Sequence, residues 1–123
     1  MNVEEWVYER PDFAASLQAI PQPETGLRSS LRQGIKLDVM YEGDKSGAWM
    51  IYYALLDGER LLLPHGVVCQ GAVKAYFRVL NLELRATVHK QRVKLGIRFF
   101  VVGGGHKVAE GLVTEVLHLS DED

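Results

Sequence analysis

Cysteine is nearly absent from this chain of 123 residues, since Cys69 is the only one. A lone thiol excludes an intrachain disulfide and a thiolate zinc cluster, and it favours a reducing compartment. The sequence also lacks an apolar run of the ~18 residues that a membrane-spanning helix needs. The acidic start, with Glu4 and Glu5, is unlike the basic start of a secretory signal. We therefore expect a cytoplasmic domain with no membrane partner.

Sequence motifs for nucleotide and metal chemistry are missing as well. No Gly-x-x-x-x-Gly-Lys-Ser/Thr motif occurs, so the chain has no P-loop to hold a nucleotide phosphate. The glycine run Gly103–Gly105 falls between two predicted strands, and turn chemistry accounts for it. The four histidines lack the short spacings that bring metal ligands together. The sequence therefore predicts no metal, no nucleotide and no other cofactor.

The composition is that of an ordinary folded domain. Hydrophobic residues make up 47% and charged residues 24%, and the formal net charge is −2, all close to globular averages. The length fits one domain over residues 1–123. We expect its β-barrel core to cover about 12–119, with an N-terminal extension over 1–11 and an acidic tail over 120–123.

Alternation of apolar and polar residues runs through most of the chain and predicts an all-β fold. Strands of this kind begin at Phe13, Ile35, Trp49 and Ile97. The longest alternating stretch runs from 73 to 89, where a change of phase near Val79 predicts a bulge between two strand segments. No helix is expected in that stretch.

One turn and a last strand complete the predicted strand pattern. Asp57-Gly58 is typical of a two-residue hairpin, with 59–63 as the returning strand. A last strand is predicted over 106–119, where Gly111 indicates a bulge or a close backbone approach. A helical pattern is confined to residues 2–9, where Asn2 and Glu5 have the spacing of a capping box.

Charge is unevenly distributed along the sequence. Residues 1–26 carry five acidic residues against one arginine, whereas residues 84–109 carry six basic residues and no acid. Such asymmetry is typical either of a polyanion-binding surface or of a solvated face. The candidate binding residues are Lys36, Arg85, Lys90, Arg92, Lys94, Arg98, His106 and Lys107.

The segment from Gly96 to Leu117 resembles the last hairpin of the third domain of elongation factor Tu. That family has the pattern Gly-Leu-Arg-Phe-x-x-Arg-Glu-Gly-Gly-Arg-Thr-Val-Gly-x-Gly-Val-Val. The matching positions are Gly96, Arg98, Phe99, Gly104, Gly105, Val108, Gly111 and Val113. A weaker likeness reaches back to residue 13. The resemblance implies a stand-alone, six-stranded, closed, Greek-key-like barrel without the GTPase domain of the factor.

The resemblance also implies a partner, although several contact positions differ. In the family, an Arg-Glu pair before the glycines contacts the acceptor arm of tRNA, and Val102 and Gly103 stand there in this chain. His106 and Lys107 replace the arginine and threonine that follow. Lys36 takes the place of an arginine in a second tRNA-contacting segment. What the resemblance implies is binding of RNA or of another part of the translation machinery.

Three functional hypotheses follow. The first is a non-enzymatic module that binds RNA or the translation machinery through the basic residues. The second is a protein-interaction module, such as an immunity or regulatory protein, that uses a face of the barrel. The third and most distant is a small hydrolase with Cys69 as nucleophile and a histidine as base. Because Cys69 lies in an apolar run, we expect it to pack as a small hydrophobic residue, and we predict no catalytic residue.

Overall fold

The computed structural model is a closed barrel of six antiparallel strands, and it describes residues 2–20, 31–35, 37–43, 47–103 and 106–120. The strands are β1 (Phe13–Ala19), β2 (Leu37–Tyr41), β3 (Trp49–Leu56), β4 (Ala72–Arg78), β5 (Arg98–Gly103) and β6 (His106–Val116). Around the barrel their order is β1-β4-β3-β2-β5-β6. The strands β2, β3 and β4 are consecutive antiparallel neighbours, and the long connection from β1 to β2 lets β1 pair with β4. This arrangement is a Greek key. The predicted six-stranded, Greek-key-like barrel is confirmed.

The predicted N-terminal helix is also present, as α1 (Val3–Glu9). The Asn2 side chain accepts a hydrogen bond from the Glu5 amide at 3.0 Å, and the Glu5 carboxylate accepts one from the Asn2 amide at 3.2 Å. This reciprocal capping satisfies two N–H groups that a helix start would otherwise leave without partners. The helix packs on the outer side of β3 and β4, where the Trp6 ring meets the Tyr52 ring edge-on at 5.9 Å.

The prediction of strands throughout 73–89 is wrong after Arg78. Residues 82–92 instead form one continuous helix, made of α2 (Leu82–Leu84), a π-helical turn (Arg85–His89) and α3 (Lys90–Arg92). The Asn81 side chain caps its start by accepting a hydrogen bond from the Leu84 amide at 3.0 Å. The alternating leucines misled the prediction, because Leu80 and Leu82 are exposed and do not face a core. We call this element the 82–92 helix.

The predicted two-residue hairpin at Asp57-Gly58 is also wrong. The turn extends from Asp57 to Leu61, and Arg60 has the positive φ of 64°. The Asp57 carboxylate accepts hydrogen bonds from the Glu59 and Leu61 amides at 2.8 and 3.0 Å, which stabilises the wider turn. Instead of the predicted returning strand over 59–63, Leu62 forms an isolated bridge to Leu56.

Aromatic rings fill the interior of the barrel. Phe13 and Phe77 stack at 4.9 Å between ring centroids, and Phe99 meets Phe77 edge-on at 5.5 Å. The Phe99 ring lies directly over Gly111 on the neighbouring strand, so a Cβ at that position would overlap the ring. Gly111 is therefore explained by the close approach of a side-chain ring, where the sequence predicted a bulge or a close backbone approach.

Replacing Gly111 by alanine is therefore expected to destabilise the barrel. The added methyl forces the Phe99 ring to move within a packed core, which lowers the free energy of unfolding by roughly 1–3 kcal/mol. Urea denaturation monitored by circular dichroism measures the change. The matched control is Gly58→Ala, where an added Cβ meets open space. Equal stability of the two variants would contradict the close contact.

Candidate functional site

Four of the basic candidates lie at one end of the barrel. Lys90 and Arg92 are on the last turn of the 82–92 helix, Lys94 follows it, and Arg98 begins β5. The Lys94 carbonyl accepts a hydrogen bond from the Ile97 amide at 3.0 Å, which forms the turn between helix and strand. We call Lys90, Arg92, Lys94 and Arg98 the basic end. Lys90–Arg92 is helical, so within the basic end only Lys94 lies in the connection between the helix and β5.

A shallow cavity of about 220 Å³ opens beside the basic end. Arg92 and Ile97 form one wall, and Tyr41, Glu42 and Gly43 form the other. The Glu42 amide donates a hydrogen bond to the Arg98 carbonyl at 3.0 Å, so the end of β2 is held beside the start of β5. The site therefore combines cations from a helix end with the edges of two strands.

The remaining surface candidates lie elsewhere. His106 and Lys107 are exposed at the start of β6, opposite Gly103 and Val102 on β5. They are separated from Arg98 by the length of β5, roughly 15 Å at about 3.3 Å per residue. The Lys107 ammonium lies 3.9 Å from the centroid of the Phe100 ring, within range of a cation–π contact. Lys36 lies outside the described residues, as do residues 121–123 of the predicted tail.

The structure corrects the predicted basic surface at Arg85, because the side chain of this residue is buried. Only 6% of the residue is exposed. Its guanidinium group lies 3.2 Å from the carboxylate of Asp12 and also donates a hydrogen bond to the His118 carbonyl. A buried charge requires a partner and hydrogen bonds, and Asp12 and His118 supply both. Arg85 therefore has a structural position and is not available at the surface.

A second buried polar contact holds the same helix. His89 is fully buried, and its Nδ1 is 2.5 Å from the Tyr41 hydroxyl on β2. Burial lowers the pKa of His89 to about 4, with the nearby Asp12 raising it and Arg92 lowering it to lesser degrees. Within the described part of the chain, His89 Nε2 has no hydrogen-bond partner. His89 is therefore neutral near pH 7 and binds Tyr41 as an uncharged ring.

Sequence reasoning missed the roles of Asp12, Tyr41 and His89. A usable signal was present, since Arg85 and His89 are four residues apart and so share one face of a helix. Leu84 and Val88 have the same spacing. The strand pattern hid this signal, because apolar residues that recur at every second position also recur at every fourth. The same residues therefore satisfy both the strand period and the helical spacing.

The cysteine of the distant hydrolase hypothesis lines a cavity of about 510 Å³, together with Leu17, Leu56 and Leu63. Burial raises the pKa of the Cys69 thiol, which favours the thiol over the nucleophilic thiolate. His65, the histidine nearest to it in sequence, is bonded through Nδ1 to the buried Glu4 carboxylate at 2.6 Å. These features favour the packing role that we expect for Cys69.

Comparison with known proteins assigns no family: no protein-family model matches the chain, and no curated protein matches it significantly. In the described ranges, no group of three His, Cys, Asp or Glu side chains is arranged to hold a metal ion. The same residues include no helix long and apolar enough to cross a bilayer. The function is therefore inferred from the geometry of the chain's own side chains.

The buried His89 predicts a specific pH dependence of stability. Its pKa is about 4 when folded and about 6.5 when unfolded, so between these values the unfolded chain binds a proton that the folded protein does not. The free energy of unfolding therefore falls as the pH decreases from 6.5 towards 4, by up to roughly 3 kcal/mol.

Urea denaturation of the native protein and of His89→Gln across this pH range tests the effect. The variant has no titratable group at residue 89, so it is expected to lack this part of the pH dependence. His106→Gln is the control, because His106 is exposed. Parallel pH curves for the native protein and His89→Gln would contradict the buried neutral ring.

Proposed function

We propose that this protein is a non-enzymatic RNA-binding module of the cytoplasm, acting at the translation machinery through the basic end. The observation that carries the proposal is the succession of four basic residues from the last turn of the 82–92 helix to the start of β5, with no acidic residue among them. Phosphate contacts from lysine and arginine supply most of the sequence-independent affinity for nucleic acids. A patch of this size contacts a short length of backbone.

The helix end accounts for part of this charge by itself. Cations in the last turn of a helix are stabilised by the negative end of its dipole, which gives Lys90 and Arg92 a structural reason for their position. Lys94 and Arg98 lie beyond the last helical turn and are both exposed. Their charge therefore supports a binding role more directly.

The proposed link to the translation machinery is supported by the sequence. The segment from Gly96 to Leu117 resembles the last hairpin of the third domain of elongation factor Tu, and Arg98 is one of the matching residues. The tRNA-contacting pair of that family is replaced by Val102 and Gly103. The basic end lies at the opposite end of β5 from these two residues. RNA is therefore proposed to bind this chain at a different place from the hairpin contact of the factor.

A second candidate function is protein binding through the outer face of β2, β5 and β6. The outward side chains Met40, Phe100 and Val102 are half-buried, and Met50 and Leu112 are exposed beside them. Cross-strand pairing places Met40 next to Phe100. Residues paired with them on the same outward face include Asp38, Lys107 and Glu110, and a surface that mixes apolar with charged side chains is typical of a non-obligate protein interface. This observation favours the alternative hypothesis of an interaction module.

The RNA proposal is tested with the double variant Lys94→Gln/Arg98→Gln. Each phosphate contact to a single strand contributes about −0.7 to the slope of log affinity against log salt, so losing two contacts flattens that slope by about 1.4. Fluorescence anisotropy with a labelled single-stranded RNA of about 20 nucleotides, a length that covers several binding-site sizes, measures the slope. Both side chains are exposed, so circular dichroism is expected to show an unchanged fold.

The matched control is Arg32→Gln/Lys74→Gln, which removes the same charge from exposed positions outside the basic end. An equal loss of affinity in both double variants would show attraction by overall charge instead of a site. Absence of RNA binding by the native protein at low salt would contradict the proposal. A partner that survives nuclease treatment in a pull-down would then favour the protein-binding alternative.

A further inference from the structure

A third cavity, of about 250 Å³, lies away from the basic end. It opens where the end of α1, the end of β4 and the start of the 82–92 helix meet. Three arginines line it together with one carboxylate, and the rest of the wall is apolar. The residues used below are Arg78, Arg85, Asp12, Leu80 and Leu82.

Arg78 is held in place on the wall of this cavity. Its guanidinium carbon lies 3.9 Å from the centroid of the Trp6 ring, and its Nη1 donates a hydrogen bond to the Trp6 carbonyl at 2.8 Å. An arginine has five N–H donors, so this contact leaves donors for a further acceptor. A guanidinium fixed by stacking loses little entropy when it binds a carboxylate in two-point fashion.

The charge of the cavity wall is positive. Asp12 uses one carboxylate oxygen to bind Arg85 and the other to accept the Val79 amide at 2.8 Å. Asp12 therefore offsets Arg85, while Arg78 adds a further positive charge to the same wall. Charge complementarity favours an anionic group as the occupant.

The rim of the cavity is unusually apolar for a surface. Leu80 is 54% exposed and Leu82 is 68% exposed, and the two lie beside the half-buried Trp6. Exposed leucines next to fixed cations suit a ligand that carries apolar groups close to a negative charge. The cavity volume is below the roughly 300–1,000 Å³ of sites for whole small molecules, so it fits one or two side chains of a longer segment.

We propose that this cavity binds a short acidic–apolar segment of another protein. The carboxylate of an aspartate or glutamate in that segment pairs with Arg78, and neighbouring aliphatic side chains cover Leu80 and Leu82. The site is separate from the basic end, since the length of the 82–92 helix lies between them. The inference therefore stands independently of RNA binding.

The test uses two peptide probes and isothermal titration calorimetry. The acidic probe is acetyl-Leu-Glu-Leu-Leu-Asp-amide, and its neutral twin carries glutamine and asparagine in place of the acids. The acidic probe is expected to bind about tenfold more tightly, because charge-assisted hydrogen bonds to arginine are roughly twice as strong as neutral ones. Equal binding of the two probes, or no binding of the acidic probe, would overturn the proposal.

Single variants locate the site. Leu82→Ser and Arg78→Gln are each expected to weaken binding of the acidic probe by about threefold or more, since one removes apolar contact and the other a charge. The matched controls are Leu95→Ser, at a leucine that is 74% exposed beyond the far end of the 82–92 helix, and Lys74→Gln on β4. Equal losses in variants and controls would place the peptide elsewhere. RNA binding by Leu82→Ser, measured in parallel, separates failure of this site from failure of the basic end.

Discussion

The buried carboxylate of Asp12 is the contact on which the rest of the structure depends. Its backbone amide donates to Phe77 at the end of β4, and its carbonyl accepts the Leu117 amide after β6. Its side chain accepts the Val79 amide and binds Arg85 on the 82–92 helix. One residue immediately before β1 therefore joins β4, the helix and the end of β6. Removing one partner of such a buried pair costs roughly 3–5 kcal/mol, because the other charge stays buried without compensation.

The position of the basic end follows from this attachment. The π-helical turn carries Arg85 and His89 on the side of the helix that faces the barrel, where they reach Asp12 and Tyr41. π-Helical turns are rare and occur often at functional sites. Once the barrel-facing side of the helix is fixed, its last turn places Lys90 and Arg92 shortly before the start of β5. The same attachment leaves Leu82 exposed at the other end, beside the arginine-lined cavity.

Most strands could be predicted from the sequence because their core residues recur with a period of two. Leu37, Val39 and Tyr41 all face the core, as do Phe99 and Val101. These core positions can be predicted without knowing which strands pair, because the burial of one sheet face already specifies which side chains point inward. The capping box of α1 is equally local, and it was predicted for the same reason.

The helix and the buried charges could not be predicted in the same way. The stretch from Leu80 to Val88 satisfies the strand period, and the helix forms because Asn81 caps it and Asp12 binds Arg85 from about 70 positions away. A sequence shows that Arg85 is charged, but it does not show that the closed barrel brings Asp12 next to it. Arg85 was therefore wrongly placed on the basic surface, and the tyrosine–histidine contact was missed.

Native-state hydrogen exchange of the variant Asp12→Asn tests the central claim, that Asp12 fixes the 82–92 helix to the barrel. The account predicts that the free energy of opening falls more for amides of this helix than for amides of β2 and β3. Glu115→Gln is the control, since it removes an ion pair with Arg60 that is exposed and therefore screened by solvent. An equal fall in helix and strand amides, or no change in the helix, would contradict the account.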